Sequence, residues 1–371
     1  MTAGLGLARG RSRMLPRWFL RALVSTRRAA DRGSWLPWQG SEQAAPRSLN
    51  LALQGGGAHG AFTWGALDRL LEERSIAFGA ISGTSAGAVN AVLLAAGLVE
   101  NGAHGALEKL ARFWSGICRN PNGDASAGGL IDALSLPHLQ RWQHAGLDLI
   151  GKFLAPAQFN PLGFNPMRDL LRELVDFERL RAAGPALFIA ATDAATGRKR
   201  IFTREEISLE AVLASACLPQ MHHAIEIDGR QYWDGGYVAN PPLLPLVQQA
   251  KAKDTLLIQL IPLGDQTIPM DHAGIGEGLN RIIFNAPLRQ EIAAIQLMAD
   301  RKRSPFGRHR FHLIDATPAT QALPAGSRLV PDWRVISRLR AEGRQAAGAW
   351  LAQHRGAIGN RATADLAARF L

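Results

Sequence analysis

Short apolar runs alternate along this chain with stretches whose apolar residues recur at spacings of three and four. This is the pattern of buried strands separated by amphipathic helices. A run ending at 51–53 reads as a strand, and 58–73 as a helix with Phe62, Leu67, Leu70 and Leu71 on one face. The cycle repeats with a strand over 77–81 and an apolar helix over 88–96. A helix over 106–118 follows, and another runs to 175 from Pro166, a residue suited to a first helical turn. Residues 187–192 and 199–203 read as strands joined across Ala195, Thr196 and Gly197, and 224–227 with 231–233 as a hairpin turning at Asp228 and Gly229. Between these pairs, 208–216 reads as a short helix capped by Ser208. Downstream, helices are expected from Asn240-Pro241-Pro242 to 250, over 275–302 and over 332–353, with strands over 255–261 and 310–314. Strand, turn and helix in succession predict an α/β fold whose consecutive strands lie parallel. No stretch of about 20 uninterrupted apolar residues occurs, so no spanning helix is expected, and 88–99 reads as a core helix.

Length and composition narrow the class. A chain of 371 residues, 47% of them hydrophobic, can bury a substantial core, and a mean hydropathy of −0.03 is a globular value. The two cysteines, Cys118 and Cys217, give neither a disulfide framework nor zinc spacing, and permit a reducing interior. Ten histidines are scattered without a His-x-x-x-His pair, so no metal or cofactor is expected. The formal charge of +11 is uneven: residues 1–47 hold nine arginines against Asp31 and Glu42, a local excess of +7. Such a surface favours anionic partners. The aromatic and basic interleaving of a nucleic-acid module is missing, so nucleic acid is not the expected partner.

The chemistry concentrates in two turns. Gly55, Gly56 and Gly57 follow the first strand directly, where backbone N–H groups can approach a bound atom with no Cβ in the way, ahead of a helix N-terminus that favours an anion. Gly55, Gly57 and Gly60 also spell the dinucleotide-binding G-x-G-x-x-G. That reading needs an acidic residue ending the second strand, and Ser82, Gly83, Thr84 and Ser85 stand there instead. They open Gly83-Thr84-Ser85-Ala86-Gly87, a G-x-S-x-G between a strand and a helix, the context in which a serine is thrust out of a sheet as a nucleophile. A bare small-residue turn packing strand on helix has the same composition. The glycine turn preceding it favours the nucleophile, since acyl transfer needs oxyanion donors as well, and two strand-turn-helix units set both turns at one sheet edge.

These two motifs, followed by Asp234-Gly235-Gly236, resemble the patatin-like phospholipases. The resemblance implies a three-layer α/β sandwich with a central, mainly parallel sheet flanked by helices. It also implies a catalytic dyad of Ser85 and Asp234 without histidine, and an oxyanion hole at Gly55, Gly56 and Gly57, with His59, Gly60, Gly83, Gly87, Gly235 and Gly236 supporting the motifs. His59 departs from the family, which often has arginine or lysine at that place. The implied activity is hydrolysis of lipid acyl esters, of phospholipase A or lysophospholipase type, with a lipid or acyl ester as substrate and no cofactor. An anionic membrane surface is then a natural peripheral contact for the basic chain.

The expected organisation is a basic segment over 1–47, a catalytic domain over 48–315 with its motifs within 48–245, and a helical extension over 316–371. The first segment reads as a disordered tail, an organellar transit peptide, a stretch upstream of a start at Met14, or a membrane-surface arm carrying Trp18, Trp35 and Trp38 among arginines. Without a clear signal peptide, a cytoplasmic, peripherally membrane-associated location is expected. Residues 119–166 are irregular yet apolar and read as either a lid or acyl-binding wall, or as helices packed on the sheet. Two rivals stand beside the dyad. One is a Ser-Asp-His triad drawing on His309, His312 or His354, and the other is a lipid-binding module with a vestigial site.

Overall fold

A computed structural model describes residues 45–118, 165–264, 272–299, 301, 304, 306–323 and 326–371. The basic segment to residue 44 and the apolar insertion over 119–164 lie outside the described residues. Residues 45–371 form one compact unit around an eight-stranded sheet. Its strands are β1 (Arg47–Leu53), β2 (Ile76–Gly83), β3 (Ala186–Asp193), β4 (Lys199–Thr203), β5 (Ile225–Ile227), β6 (Arg230–Asp234), β7 (Asp254–Gln259) and β8 (Arg310–Asp315). Their order is β5-β6-β3-β2-β1-β7-β8, with β4 paired to β3. The run β3-β2-β1-β7-β8 is parallel, while β4, β5 and β6 pair antiparallel. This is the expected α/β sheet, mainly parallel.

Alternation along the buried strands divides the core in two. Leu49, Leu51 and Leu53 of β1, Leu187 and Ile189 of β3, and Leu256 and Ile258 of β7 point to one face, where α1 (Gly60–Leu71), α2 (Ala86–Ile117), α5 (Leu209–Ser215) and α8 (Trp333–His354) cover them. Ala52, Phe188 and Leu257, one residue out of phase, point to the other, beneath α6 (Leu244–Gln249), α7 (His272–Ala299) and α9 (Leu366–Phe370). The smaller α3 (Pro166–Leu174) and α4 (Phe177–Ala182) pack beside α2. Three layers result, as the resemblance implied. The helices expected over 88–96 and 106–118 are one element, α2, broken by non-helical backbone at Asn101 and Gly102. Its length and hydropathy are those of a bilayer-spanning helix, but its first half is buried in the core of this unit. Most boundaries lie within three residues of expectation, and one start lies further off. Helix α6 starts at Leu244 rather than at Asn240, whose side chain is committed elsewhere.

The register around β3 decides where the chemistry converges. Phe188 and Ile189 pair with both β2 and β4, so those two strands flank opposite edges of β3. Ala191 and Thr192 pair with both β4 and β6, so β6 also lies opposite β4. Strands β2 and β6 therefore share one edge of β3 in succession. β2 departs at Gly83, level with Ile189, and Asp234 takes up the edge at Ala191, two residues further on. Residue 85, two beyond Gly83, comes out at the same level.

The C-terminal helix is built into this unit. Helix α8 crosses α1 at backbone contact distance: a Cβ on Gly65 would lie 1.9 Å from the Arg340 carbonyl oxygen, and one on Gly343 2.0 Å from that of Phe62. Arg340 also bonds the buried Asp68 through Nε at 2.8 Å and Nη2 at 2.7 Å, and stacks over Trp64 at 4.3 Å. Gly65→Ala is expected to force the helices apart and lower unfolding stability by about 1–3 kcal/mol, read from urea denaturation.

Candidate active site

Leu53 pairs with Gly83, so the chain leaving β1 runs beside the chain leaving β2. The approach is close enough to require glycine: a Cβ on Gly55 would sit 2.7 Å from the Thr84 carbonyl oxygen and 2.8 Å from the Ser85 Cβ. Gly60, Gly83 and Gly87 make equally tight contacts, with Ala86, with Gly87 and with the Leu53 carbonyl respectively. The two motifs thus form one interlocked pair of turns.

Ser85 adopts φ 55° and ψ −126° at the head of α2. Among the described residues only Asp228, in the expected Asp-Gly hairpin turn, is another non-glycine at positive φ. A side chain held there costs about 1–3 kcal/mol, so surrounding bonds must fix it. They are identifiable. The Ser85 amide donates to Ser215 Oγ at 3.0 Å, Thr84 Oγ1 donates to the Ala239 carbonyl at 2.7 Å, and the Ala88 amide donates to the Ser85 carbonyl at 2.9 Å.

Asp234 ends β6 and is almost fully buried, at 1% exposure. Its amide donates to the Cys217 carbonyl at 2.7 Å, and its own carbonyl accepts from Thr192 Oγ1 at 2.7 Å. On the carboxyl, Oδ1 accepts from the Gly236 amide at 2.7 Å, whereas the buried Oδ2 has no hydrogen-bond partner among the described residues. Burial pushes the carboxyl up from 3.8 to about 7, against smaller opposing effects of the Gly236 amide and the Ser85 side chain. The Ser85 side chain is thus near enough to the acid to bear on its titration. Gly235 lets β6 turn against β3, where a Cβ would meet the Ala190 carbonyl at 2.2 Å.

The glycine turn divides its labour. The Gly55 amide donates to Asn240 Oδ1 at 2.8 Å, so it is committed. Among the described residues the Gly56 and Gly57 amides have no acceptor. The turn is held from outside by the Ala58 amide on the Arg328 carbonyl at 2.8 Å and by His59 Nε2 with Ser327 Oγ at 2.9 Å. His59 is buried, and desolvation, followed by the nearby Arg328 charge, lowers its pKa from 6.5 to about 3. It is neutral across the physiological range and contributes position rather than charge.

Sequence reasoning passed over Asn240, Ser215, Ser327 and Arg328. Asn240 ties three parts of the site together, because its Nδ2 also donates to the Phe284 carbonyl of α7 at 3.1 Å. Gln54 does similar work beneath it: Oε1 accepts from the Leu260 and Ile261 amides at 2.7 and 2.9 Å, and Nε2 donates to the Asn240 carbonyl at 3.4 Å. The histidines of the rival triad lie elsewhere. His309 bonds Thr255 Oγ1 at 2.7 Å, and His312 bonds Asp254 Oδ1 at 3.1 Å. Thr255 is level with Asn50, three residues down β1 from Leu53, or about 10 Å from the strand exit. His354 closes α8 beside Trp350.

A serine at positive φ between a parallel strand and a helix, with glycine amides alongside, places the chain in the class of α/β proteins built on a strand-turn-helix with G-x-S-x-G at the turn. Within that class the chain belongs to the patatin-like phospholipase family: the family model matches residues 51–247, more than half of the 371. Membership places it among lipid acyl hydrolases. No curated protein sequence matches the chain. It is similar in structure to VipD from Legionella pneumophila, with TM-score 0.38 and 13% identity over 83% of this chain and 67% of that one. It is also similar to a chain of the ExoU-SpcU complex of the Pseudomonas aeruginosa type III secretion system, with TM-score 0.32 and 17% identity over 83% of this chain and 52% of the other.

The Asp234 proton is bound more tightly in the folded than in the unfolded chain. Stability from this group is therefore full below pH 3.8 and drains away as pH rises to about 7. Asp234→Asn removes that loss. Its melting temperature is expected to match the parent near pH 4 and to exceed it by a few degrees at pH 8, as calorimetry at both pH values will read.

Proposed function

We propose that this protein is a phospholipase A or lysophospholipase working through a dyad of Ser85 and Asp234. The observation that carries the reading is a buried carboxyl, with a pKa near 7 and an unpartnered oxygen, beside a serine held at positive φ. A carboxylate of ordinary pKa is too weak a base for a serine hydroxyl, and desolvation moves this one into the working range.

In the proposed reaction Asp234 Oδ2 takes the proton of Ser85 Oγ while that oxygen bonds to the ester carbonyl carbon. The negative charge that develops on the carbonyl oxygen is met by the Gly56 and Gly57 amides. Each such donor contributes roughly 10²–10³-fold in rate. The tetrahedral species collapses as the bond to the alcohol oxygen breaks, and the alcohol leaves with the proton held by Asp234. Water then gives a proton to Asp234 and attacks the acyl-serine, and the second collapse returns that proton to Ser85 as the carboxylic acid departs. Gly55 keeps the turns in register rather than serving as a donor, since Asn240 occupies its amide.

The base acts only when ionised, so kcat/KM on a soluble short-chain ester is expected to rise with pH and level off above about 7. A fluorophosphonate probe is expected to label Ser85 in the folded protein, with Ser85→Ala unlabelled. Asp234→Asn is expected to lose about 10³-fold or more in kcat. Histidine-to-alanine changes at His309, His312 and His354, assayed on folded variants, are expected to leave kcat within a few-fold. Loss of turnover at one of them, with Asp234→Asn active, would replace the dyad with a triad. A panel of diacyl and lysophospholipids assigns the subtype.

A further inference from the structure

Helix α7 has two faces with different fates. Leu288, Ile292 and Ile295 are buried in the core beneath the sheet. On the opposite side Ile275, Leu279, Ile282 and Ile283 are 46, 54, 64 and 41% exposed. At 3.6 residues per turn these four fall within an arc of about 100°. A second group of exposed apolar side chains, Leu329, Val330 and Trp333, at 50, 54 and 42%, precedes and opens α8. Isolated exposed leucines need no explanation, but contiguous sets of this size mark a contact surface.

Both groups adjoin the catalytic turns. Phe284 follows Ile283 directly and packs on Tyr237 with ring centroids 5.0 Å apart, next to Gly236. Glu277 of α7 pairs with Arg328 at 2.8 Å, and the Arg328 carbonyl holds the glycine turn through Ala58. One ion pair therefore connects the α7 stripe to the 329–333 group at the rim of the glycine turn. Cations are interspersed: Arg281 precedes Ile282, Arg334 follows Trp333, and neither forms an ion pair among the described residues.

We propose that the outer stripe of α7, together with Leu329, Val330 and Trp333, docks the protein on an anionic lipid surface. The occupant follows from charge and position. Apolar side chains with a tryptophan, with Arg281 and Arg334 beside them, match a membrane interface bearing anionic headgroups. The surface borders a site whose family acts on lipids, so docking brings ester and serine together. The orientation rests on the lipid-hydrolase reading, but docking itself is measured without turnover.

The test uses full-length Ser85→Ala protein and flotation with extruded vesicles of phosphatidylcholine, with and without about one third phosphatidylglycerol. Binding is expected to the anionic vesicles and to be weaker by about tenfold on the neutral ones. Replacing Ile275, Leu279 and Ile282, which are 46, 54 and 64% exposed, together by glutamine keeps helix propensity, so a melting temperature within a few degrees of the parent is expected with binding lowered about tenfold or more. Arg281→Gln with Arg334→Gln is expected to reduce binding to anionic vesicles several-fold. Parental binding by the triple variant overturns the proposal, as does equal binding to both vesicle types. So does light scattering that shows the triple substitution splitting a dimer while flotation is unchanged, since the face would then cover a second copy. Flotation that obeys the expectation while the parent fails to label at Ser85 sinks the dyad and leaves the docking surface standing.

Discussion

Asp234 is a carboxyl that the fold buries without an ion pair among the described residues. The groups that bear on it are the Gly236 amide and the Ser85 side chain, and together they do not offset desolvation. Compare Asp254, another buried acid, which Arg310 bonds through Nε at 3.0 Å and Nη2 at 2.6 Å and which His312 and the Gly359 amide also contact. Its pKa moves the opposite way, well below the usual range. Both carboxyls sit in one sheet protein. One is at the amino end of β7 and ties the C-terminal segment down, and the other is near the carboxyl ends of the parallel strands and is left poised. The difference is made by withholding partners, which costs stability, and such costs concentrate where function needs them.

Holding that arrangement takes bonds that reach far along the chain. The strained Ser85 turn is fixed by Ser215, 130 residues away, and the preceding threonine by Ala239, 155 away. The glycine turn is fixed by Asn240, 185 away, and through His59 by Ser327, 268 away. Local sequence places a serine on a turn, but its precision comes from these distant partners. The succession of β2 and β6 on one edge of β3 explains how the partners come within reach, because it puts the end of β6 where β2 leaves off.

This division also explains what the sequence disclosed. Parallel strands, flanking helices, the Asp-Gly hairpin and the Ser208 cap are written in local periodicity and turn chemistry, and they stand where expected. Ser85 was singled out by a G-x-S-x-G turn standing behind a glycine loop, and Asp234 only by the resemblance, in which an Asp-Gly-Gly follows those two motifs. Asn240 was not. Followed by two prolines it reads as a helix start, whereas its side chain serves Gly55 and Phe284, and no local pattern announces a partner 185 residues away. Ser215 hid for the same reason in an ordinary small-residue helix end. The division of the glycine turn, with one amide spent and two unpaired, depended on that unseen asparagine.

The charge at His59 follows from the same long-range logic. Where related proteins often place a permanent cation, this chain has an imidazole that burial holds neutral, so no positive charge enters the turn from within. A guanidinium does stand alongside, that of Arg328, but Glu277 pairs with it at 2.8 Å. An ion-paired arginine adds little field at a developing oxyanion, because its partner cancels most of the potential at distances beyond the pair. Charge stabilisation at the proposed site therefore falls to the fixed dipoles of Gly56, Gly57 and the first turn of α2, which need no reorganisation as the oxyanion forms. The Arg328 backbone then matters more than its charge, since its carbonyl sets the angle of the turn through Ala58 and lies so close to Gly57 that only glycine fits there, at φ 58°.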